Sequence, residues 1–302
     1  MTDWRIWLMA ARPRTLPAAI APVLVGTAAA VQRTADVRIG AFVAALVGSI
    51  FIQIGTNLAN DYSDAKRGAD TADRLGPVRV TSSGLVAPRR VLVATWVAFA
   101  IAVSVGIYLA TVAGIVILIV GAASILAGVL YTGGPRPYGY AGLGELFVFL
   151  FFGLVAVNGS YYVQLERLDW LPFGLSLGVG FLATAILVVN NVRDLETDRR
   201  AGKMTLAVRL GRERTRRLYA LLVAAAFVAV PATLLPTVDD PFATGGAAWG
   251  LIALLSAPLA RRPMAAVMTR TDGPSLNAAL AGTGALLAGF SVLLAAGLLI
   301  GA

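Results

Sequence analysis

Seven of the sixteen acidic residues fall into two short stretches whose spacing repeats. Asp61, Asp64, Asp70 and Asp73 follow Asn57, and Asp194, Glu196 and Asp198 follow Asn190. In each stretch the Asn precedes the first Asp by four residues, and the second copy lies 133 residues after the first. Steps of four and three place Gln53, Asn57, Asp61 and Asp64 along one helix face, and Asn190, Asp194 and Asp198 along another. Like charges at that spacing repel, so each ladder calls for a cation. Carboxylate and amide oxygens are hard donors. They suit Mg2+, which takes one or two carboxylates per ion while phosphate and water complete its shell. The chain has no His and no Cys, which removes thiolate nucleophiles, imidazole bases and the usual zinc and haem ligands.

Basic residues stand beside both stretches. Lys66, Arg67 and Arg79 follow the first, and Arg193, Lys203 and Arg209 follow the second. Cations held by carboxylates and flanked by guanidinium and ammonium groups suit a diphosphate, whose several oxygens all need neutralising. Neither a P-loop nor a GxGxxG pattern is present to suggest a nucleotide. A third stretch, YTGGPRPYGYAGLGE at 131–145, carries Arg136 and ends on Glu145. Each feature also has a plainer reading: loop acids balancing nearby cations, Arg136 anchoring to lipid, Glu145 capping a helix. Two matched acid clusters at a membrane boundary favour the functional one.

The elements that carry these residues are membrane helices. Hydrophobic residues make up 58% of the 302 and charged residues 14%, with a mean hydropathy of +0.79. That is too apolar for a water-soluble domain, and it excludes a nucleic-acid-binding protein despite a net charge of +9. Nine apolar stretches are expected to span a bilayer: 16–32, 38–59, 91–111, 113–131, 143–164, 170–190, 218–236, 245–260 and 277–300. With nine spans, all 25 Lys and Arg except Arg33, Arg38 and Arg167 fall on one side. The positive-inside rule then predicts a cytoplasmic N-terminus, cytoplasmic acid-bearing loops and an outer C-terminus, in the plasma membrane. The first twelve residues do not read as a cleavable signal peptide. The acid stretches end the second and sixth spans, which cross in the same direction, as in a chain built from two repeated halves.

The NDYSD and RDLETD motifs on spans two and six of a nine-helix chain resemble the two Asp-rich motifs of the UbiA superfamily of intramembrane prenyltransferases. ARPRTL at 11–16, NLANDYSDAKRGAD at 57–70, GPVRVTSSGLV at 76–86, the 131–145 stretch and NNVRDLETDRRAGKMTLAVRLG at 190–211 are similar to its 1,4-dihydroxy-2-naphthoate polyprenyltransferase branch. The resemblance covers nearly the whole chain. The general superfamily motif expects a third Asp where Gly68 stands, and the next acid is Asp70.

The resemblance implies an all-α, single-domain protein over residues 1–302, with nine helices around a central cavity. It implies two Mg2+ ions, one held by Asn57, Asp61 and Asp64 and the other by Asp194 and Asp198. Arg136, Arg193 and Lys203, with Asn190, Arg79 and Glu145 nearby, would contact a polyprenyl diphosphate, and Tyr131 would face its allylic carbon. The aromatic acceptor would be 1,4-dihydroxy-2-naphthoate, its carboxylate held by Arg12 or Arg14, with membrane lipid around the apolar tail. Other acceptors, such as 4-hydroxybenzoate or homogentisate, remain open. A secondary transporter is the rival from another class, disfavoured because the acids sit at one face rather than at the midplane.

Overall fold

The computed structural model describes residues 3–69, 75–235 and 245–302; Asp70, Asp73 and Arg74 lie outside the described residues. The described chain is built of helices joined by loops, with no strand among the described residues. α1 (Asp3–Ala11) and a 3-10 turn (Pro13–Thr15) lead into α2 (Pro17–Thr34), followed by α3 (Ile39–Lys66), α4 (Pro88–Ala113) and α5 (Val116–Leu130). α6 (Gly144–Val148), a π-helical stretch (Phe149–Val155) and α7 (Ala156–Leu165) run on as one rod. α8 (Trp170–Arg200), α9 (Leu206–Leu210) and α10 (Arg212–Leu234) come next. A 3-10 helix (Gly245–Ala260) continuing into α11 (Arg261–Thr269), and finally α12 (Gly273–Ile300), close the chain.

Each apolar stretch read from the sequence lies on one of these helices. Among the described residues, seven of them are by length and composition able to cross a membrane, or eight if the pair Trp4–Thr15 and Pro17–Thr34, bent by 54°, counts as one span. α5 falls short. At 15 residues it rises about 22 Å, against a hydrocarbon core of about 30 Å. It is a multi-pass membrane protein.

α3 and α8 matter most for the site, because both run several turns past their apolar parts and carry the acid stretches with them. α8 is buried along most of its length and packs on α10, α12, α2 and the π-helical stretch. Small residues permit this, since membrane helices associate by close packing rather than by excluding water. A Cβ on Gly153 would meet the α8 backbone at Gly180 Cα (2.7 Å) and Ser176 O (3.0 Å). Gly153→Ala is therefore expected to lower the unfolding midpoint in detergent, overpacking of this kind costing about 1–3 kcal/mol. Gly159→Ala, with nothing within 4 Å of the new methyl, serves as the control. Equal losses in the two variants would contradict this packing.

At the end opposite the acids, Arg33 pairs with Asp169 (3.1 Å) and Arg38 with Glu166 (2.7 Å). These are two of the three cations that the sequence assigned to the far side. They tie the α2–α3 connection to the α7–α8 connection.

Candidate active site

A cavity of about 340 Å³ opens between α3, α5, the α6–α7 rod and α8. Its polar end collects Gln53, Asn57, Asn60 and Asp64 from α3 and Asn190, Asn191, Asp194 and Asp198 from α8. The connecting segments add Arg12, Thr15, Arg79, Tyr140 and Lys203. The rest of the wall is apolar, running from Ala127 and Ile52 to Leu109 and Ile117.

Asp64 is the junction of the polar end. Arg79 Nη2 (3.2 Å) and Lys203 Nζ (3.1 Å) both approach its Oδ2, and Tyr140 Oη donates to Oδ1 (2.9 Å). Lys203 Nζ also lies over the Tyr140 ring, 4.9 Å from its centroid. Three loops distant in sequence thus meet on one buried carboxylate. Lys203 reaches it because Gly202 turns the chain back after α8 at φ +72°, a left-handed conformation costly for residues with a Cβ. The Lys203 backbone N–H donates to Asp198 O (2.8 Å), fixing that turn.

Asp61 has another task. Its two oxygens accept the backbone N–H groups of Val80 (3.1 Å) and Thr81 (2.9 Å), it is 2% exposed, and it is not part of the cavity wall. The expectation that Asp61 shares a face with Asn57 and Asp64 is corrected here, and the reason is geometric. At about 100° per residue, four residues overshoot a turn by roughly 40°. Asp61 is thus rotated one way from Asn57, while Asn60 and Asp64 fall on the other side. Asn60, which the four-residue spacing missed, lies on the cavity wall and accepts from Thr132 Oγ1 (2.8 Å).

Asp194 lines the cavity and is gripped by Arg193, whose Nε (2.8 Å) and Nη2 (2.6 Å) form a fork on the carboxylate. Arg193 also donates to Asn190 Oδ1 and to Asn277 Oδ1 on α12, both at 2.7 Å. It is 2% exposed and turned away from the cavity, so it orients Asp194 and Asn190 rather than facing a ligand. Asp198, one turn later, is half-buried on the wall. Asn57 gives its amide nitrogen to Ala11 O (3.0 Å) and Thr15 Oγ1 (3.2 Å), which leaves its oxygen as the donor for a cation.

Three other expected contacts, Arg136, Glu145 and Arg14, are not at the cavity. Arg136 is exposed at the surface of its loop, and Glu145 lies buried behind the wall, where Asn191 Nδ2 donates to Oε1 (2.8 Å). Arg14 is exposed as well, whereas Arg12 lines the cavity. Arg12 takes a left-handed φ of 55°, a strained value for a residue with a side chain, at the break between α1 and the 3-10 turn.

Tyr131 stands where polar and apolar ends meet. It packs edge-on against Tyr138 (centroids 5.5 Å apart), Tyr138 stacks on Phe147 (3.9 Å), and Phe147 stacks on Phe151 (6.1 Å). All four line the cavity, so an aromatic column runs from the carboxylates into the apolar chamber. Burial raises the Tyr138 phenol well above its ordinary pKa and keeps it a neutral O–H. The π-helical stretch supplies Phe151, Phe152 and Val155 to the same wall. Sequence reading found Tyr131 alone. No spacing marks Tyr138 or Tyr140, because the loop between α5 and α6 folds by backbone contacts such as Gly139 N to Tyr131 O (3.0 Å).

Residues 19–268 match the UbiA prenyltransferase family. The chain belongs to that family. It is 44% identical to a 1,4-dihydroxy-2-naphthoate octaprenyltransferase of Mycobacterium tuberculosis, over 100% of this chain and 99% of the relative. The enzyme of that name from Escherichia coli is 38% identical, over 93% and 91% of the two chains. In fold, the chain resembles a UbiA homolog from Archaeoglobus fulgidus solved with GPP and Mg2+ bound, at a TM-score of 0.66 and 17% identity over 97% and 99% of the chains. A UbiA prenyltransferase needs a polar pocket for diphosphate that opens into an apolar chamber, and the cavity described above has both.

Proposed function

We propose that this protein, as one integral-membrane domain, transfers a polyprenyl chain from its diphosphate to 1,4-dihydroxy-2-naphthoate, releasing diphosphate and CO2, in menaquinone biosynthesis. The observation that carries this reading is a single cavity joining carboxylates from both repeated stretches to an apolar, aromatic-lined chamber. Relatives sharing 44% and 38% identity are named for that reaction.

The donor set fits Mg2+. Asp64 with the amide oxygens of Asn57 and Asn60 would hold one ion, and Asp194 with Asp198 the other, all hard oxygen donors on the cavity wall. When bound, Mg2+ neutralises the diphosphate as it leaves.

The chain's own groups account for the rest. Lys203 and Arg79, held against Asp64, are placed to turn onto the diphosphate oxygens when these enter. An allylic cation is captured by water, so the apolar wall must keep the chamber dry. Tyr131, Tyr138, Phe147 and Phe151 line the route of that cation, and aromatic faces attract positive charge. The acceptor ring attacks at the carbon bearing its carboxylate. The electron pair of the bond to CO2 then returns to the ring, restoring aromaticity as CO2 departs.

Arg12 is the residue for the acceptor carboxylate, because a guanidinium grips a planar carboxylate in a fork that Lys cannot copy. Arg12→Lys is expected to raise the acceptor KM several-fold with little change in the prenyl diphosphate KM, and Arg14→Lys to change neither. Steady-state kinetics in both substrates checks this, and an unmoved acceptor KM in Arg12→Lys would place the carboxylate elsewhere.

We read the acid end as cytoplasmic and the membrane as the plasma membrane, a reading supported by the excess of Lys and Arg in the loops of that side. The reaction itself is tested with purified protein, Mg2+, geranylgeranyl diphosphate and each of dihydroxynaphthoate, 4-hydroxybenzoate and homogentisate, with products identified by mass. Prenylated naphthoquinol alone is the expected product. Prenylation of 4-hydroxybenzoate or homogentisate in its place would overturn the acceptor assignment.

A further inference from the structure

A second concavity, of about 990 Å³, lies on the outer surface at the acid-bearing end and shares no lining residue with the first. Helical stripes from three elements build it. α1 contributes Trp4 and Trp7, α3 contributes Phe51, and α4 contributes Val93 below Arg89 and Arg90. Trp4, Trp7 and Val93 are 61%, 36% and 55% exposed, so the groove is apolar and uncovered. The opposite face of α1 is already used, because Ala10, with Ile6 and Met9, packs against Leu58 and Val80. α1 therefore carries two apolar faces, and among the described residues only one packs against the rest of the chain.

The charge at the groove's end selects its occupant. Arg89 and Arg90 occupy the first turn of the 26-residue α4, where the helix dipole adds positive potential. Both are exposed, and among the described residues no acidic side chain lines the groove and neither arginine pairs with a carboxylate. Two uncompensated guanidinium groups above an apolar trough, with tryptophans on one wall, match a lipid whose headgroup is an anion. Bulk zwitterionic lipid would cover the apolar part but bring no net charge to offset the two guanidinium groups.

We propose that the α1–α3–α4 groove is a binding site for an anionic phospholipid, its phosphate on Arg89 and Arg90 and an acyl chain lying along Trp4, Trp7, Phe51 and Val93.

The full-length protein in phosphatidylcholine nanodiscs tests this, titrated with phosphatidylglycerol carrying brominated acyl chains, which quench nearby tryptophans. Wild type is expected to show saturable quenching that brominated phosphatidylcholine does not reproduce. Arg89→Gln/Arg90→Gln is expected to weaken it roughly thirtyfold, at about 1 kcal/mol for each basic residue near an anionic surface. Arg261→Gln/Arg262→Gln, removing two exposed arginines at the start of α11, is expected to leave it unchanged. Trp4→Phe/Trp7→Phe is expected to remove the saturable part of the quenching and to leave the part that arises from the exposed Trp96, Trp170 and Trp249, which locates the site. Equal binding by the Arg89/Arg90 variant, equal loss in the Arg261/Arg262 variant, or equal quenching by phosphatidylcholine would overturn the proposal. Inorganic phosphate is expected to give no thermal stabilisation. Stabilisation by phosphate equal to that by the lipid would make this a phosphate site and overturn the acyl-chain half of the proposal.

Discussion

Asp64→Asn is expected to lower turnover by two to three orders of magnitude or more while leaving the fold intact, and Asp61→Asn to lose activity and local structure together. The two acids stand less than a turn apart on α3, yet their partners differ. Asp64 faces the cavity with Arg79, Lys203 and Tyr140 around it, so removing its charge strips the polar end of an anionic ligand that the surrounding groups are arranged to serve. Losing one such electrostatic group costs on the order of 10²–10³ in rate. Asp61 accepts two backbone N–H groups from the 78–86 loop. An Asn there turns a donor toward one of them, and hydrogen bonds to a charged acceptor are worth about 1.5–3 kcal/mol each. Hydrogen exchange separates the cases. Val80 and Thr81 should exchange faster in Asp61→Asn and unchanged in Asp64→Asn. An inactive Asp61→Asn with full protection at both amides would return Asp61 to the ligand set.

Lys203→Ala carries the second large effect. Its ammonium is buried, 3.1 Å from Asp64 Oδ2 and over the Tyr140 ring, on a loop that the Gly202 turn aims inward. An incoming diphosphate offers that ammonium a denser negative charge than one carboxylate does. Its removal is expected to lower kcat/KM for the prenyl diphosphate by about 10²–10³. Arg136→Ala and Arg261→Ala, both exposed, should change it little. Similar losses at all three positions would mean that general basicity, rather than a built clamp, holds the diphosphate.

The fold was legible because a bilayer imposes one rule on every span, and apolar runs of sufficient length report it directly. The broken start of α2 and the short α5 were not, because both depend on local backbone breaks, at Arg12 and at Gly114, that hydropathy does not sense. In the site, Asn57, Asp64, Asp194, Asp198 and Lys203 were found from residue type and spacing, and all of them line the cavity. Asp61 was misplaced by treating a step of four as a full turn, an error that one more helical angle would have exposed along with Asn60. Arg193 and Arg136 show a different limit. Charge type marks a residue as able to bind an anion, but only packing decides whether it turns toward the cavity, an Asp beside it, or solvent.

The central claim is that acids from α3 and α8 together bind a metal-bound prenyl diphosphate at the mouth of an apolar chamber. Calorimetric titration with geranylgeranyl thiolodiphosphate, which does not ionise readily, tests it without requiring turnover. The account predicts tight binding with Mg2+, much weaker binding in EDTA, and a loss of the Mg2+ dependence in Asp64→Asn/Asp198→Asn. Binding of equal strength in EDTA, or an undiminished Mg2+ dependence in that double variant, would contradict it.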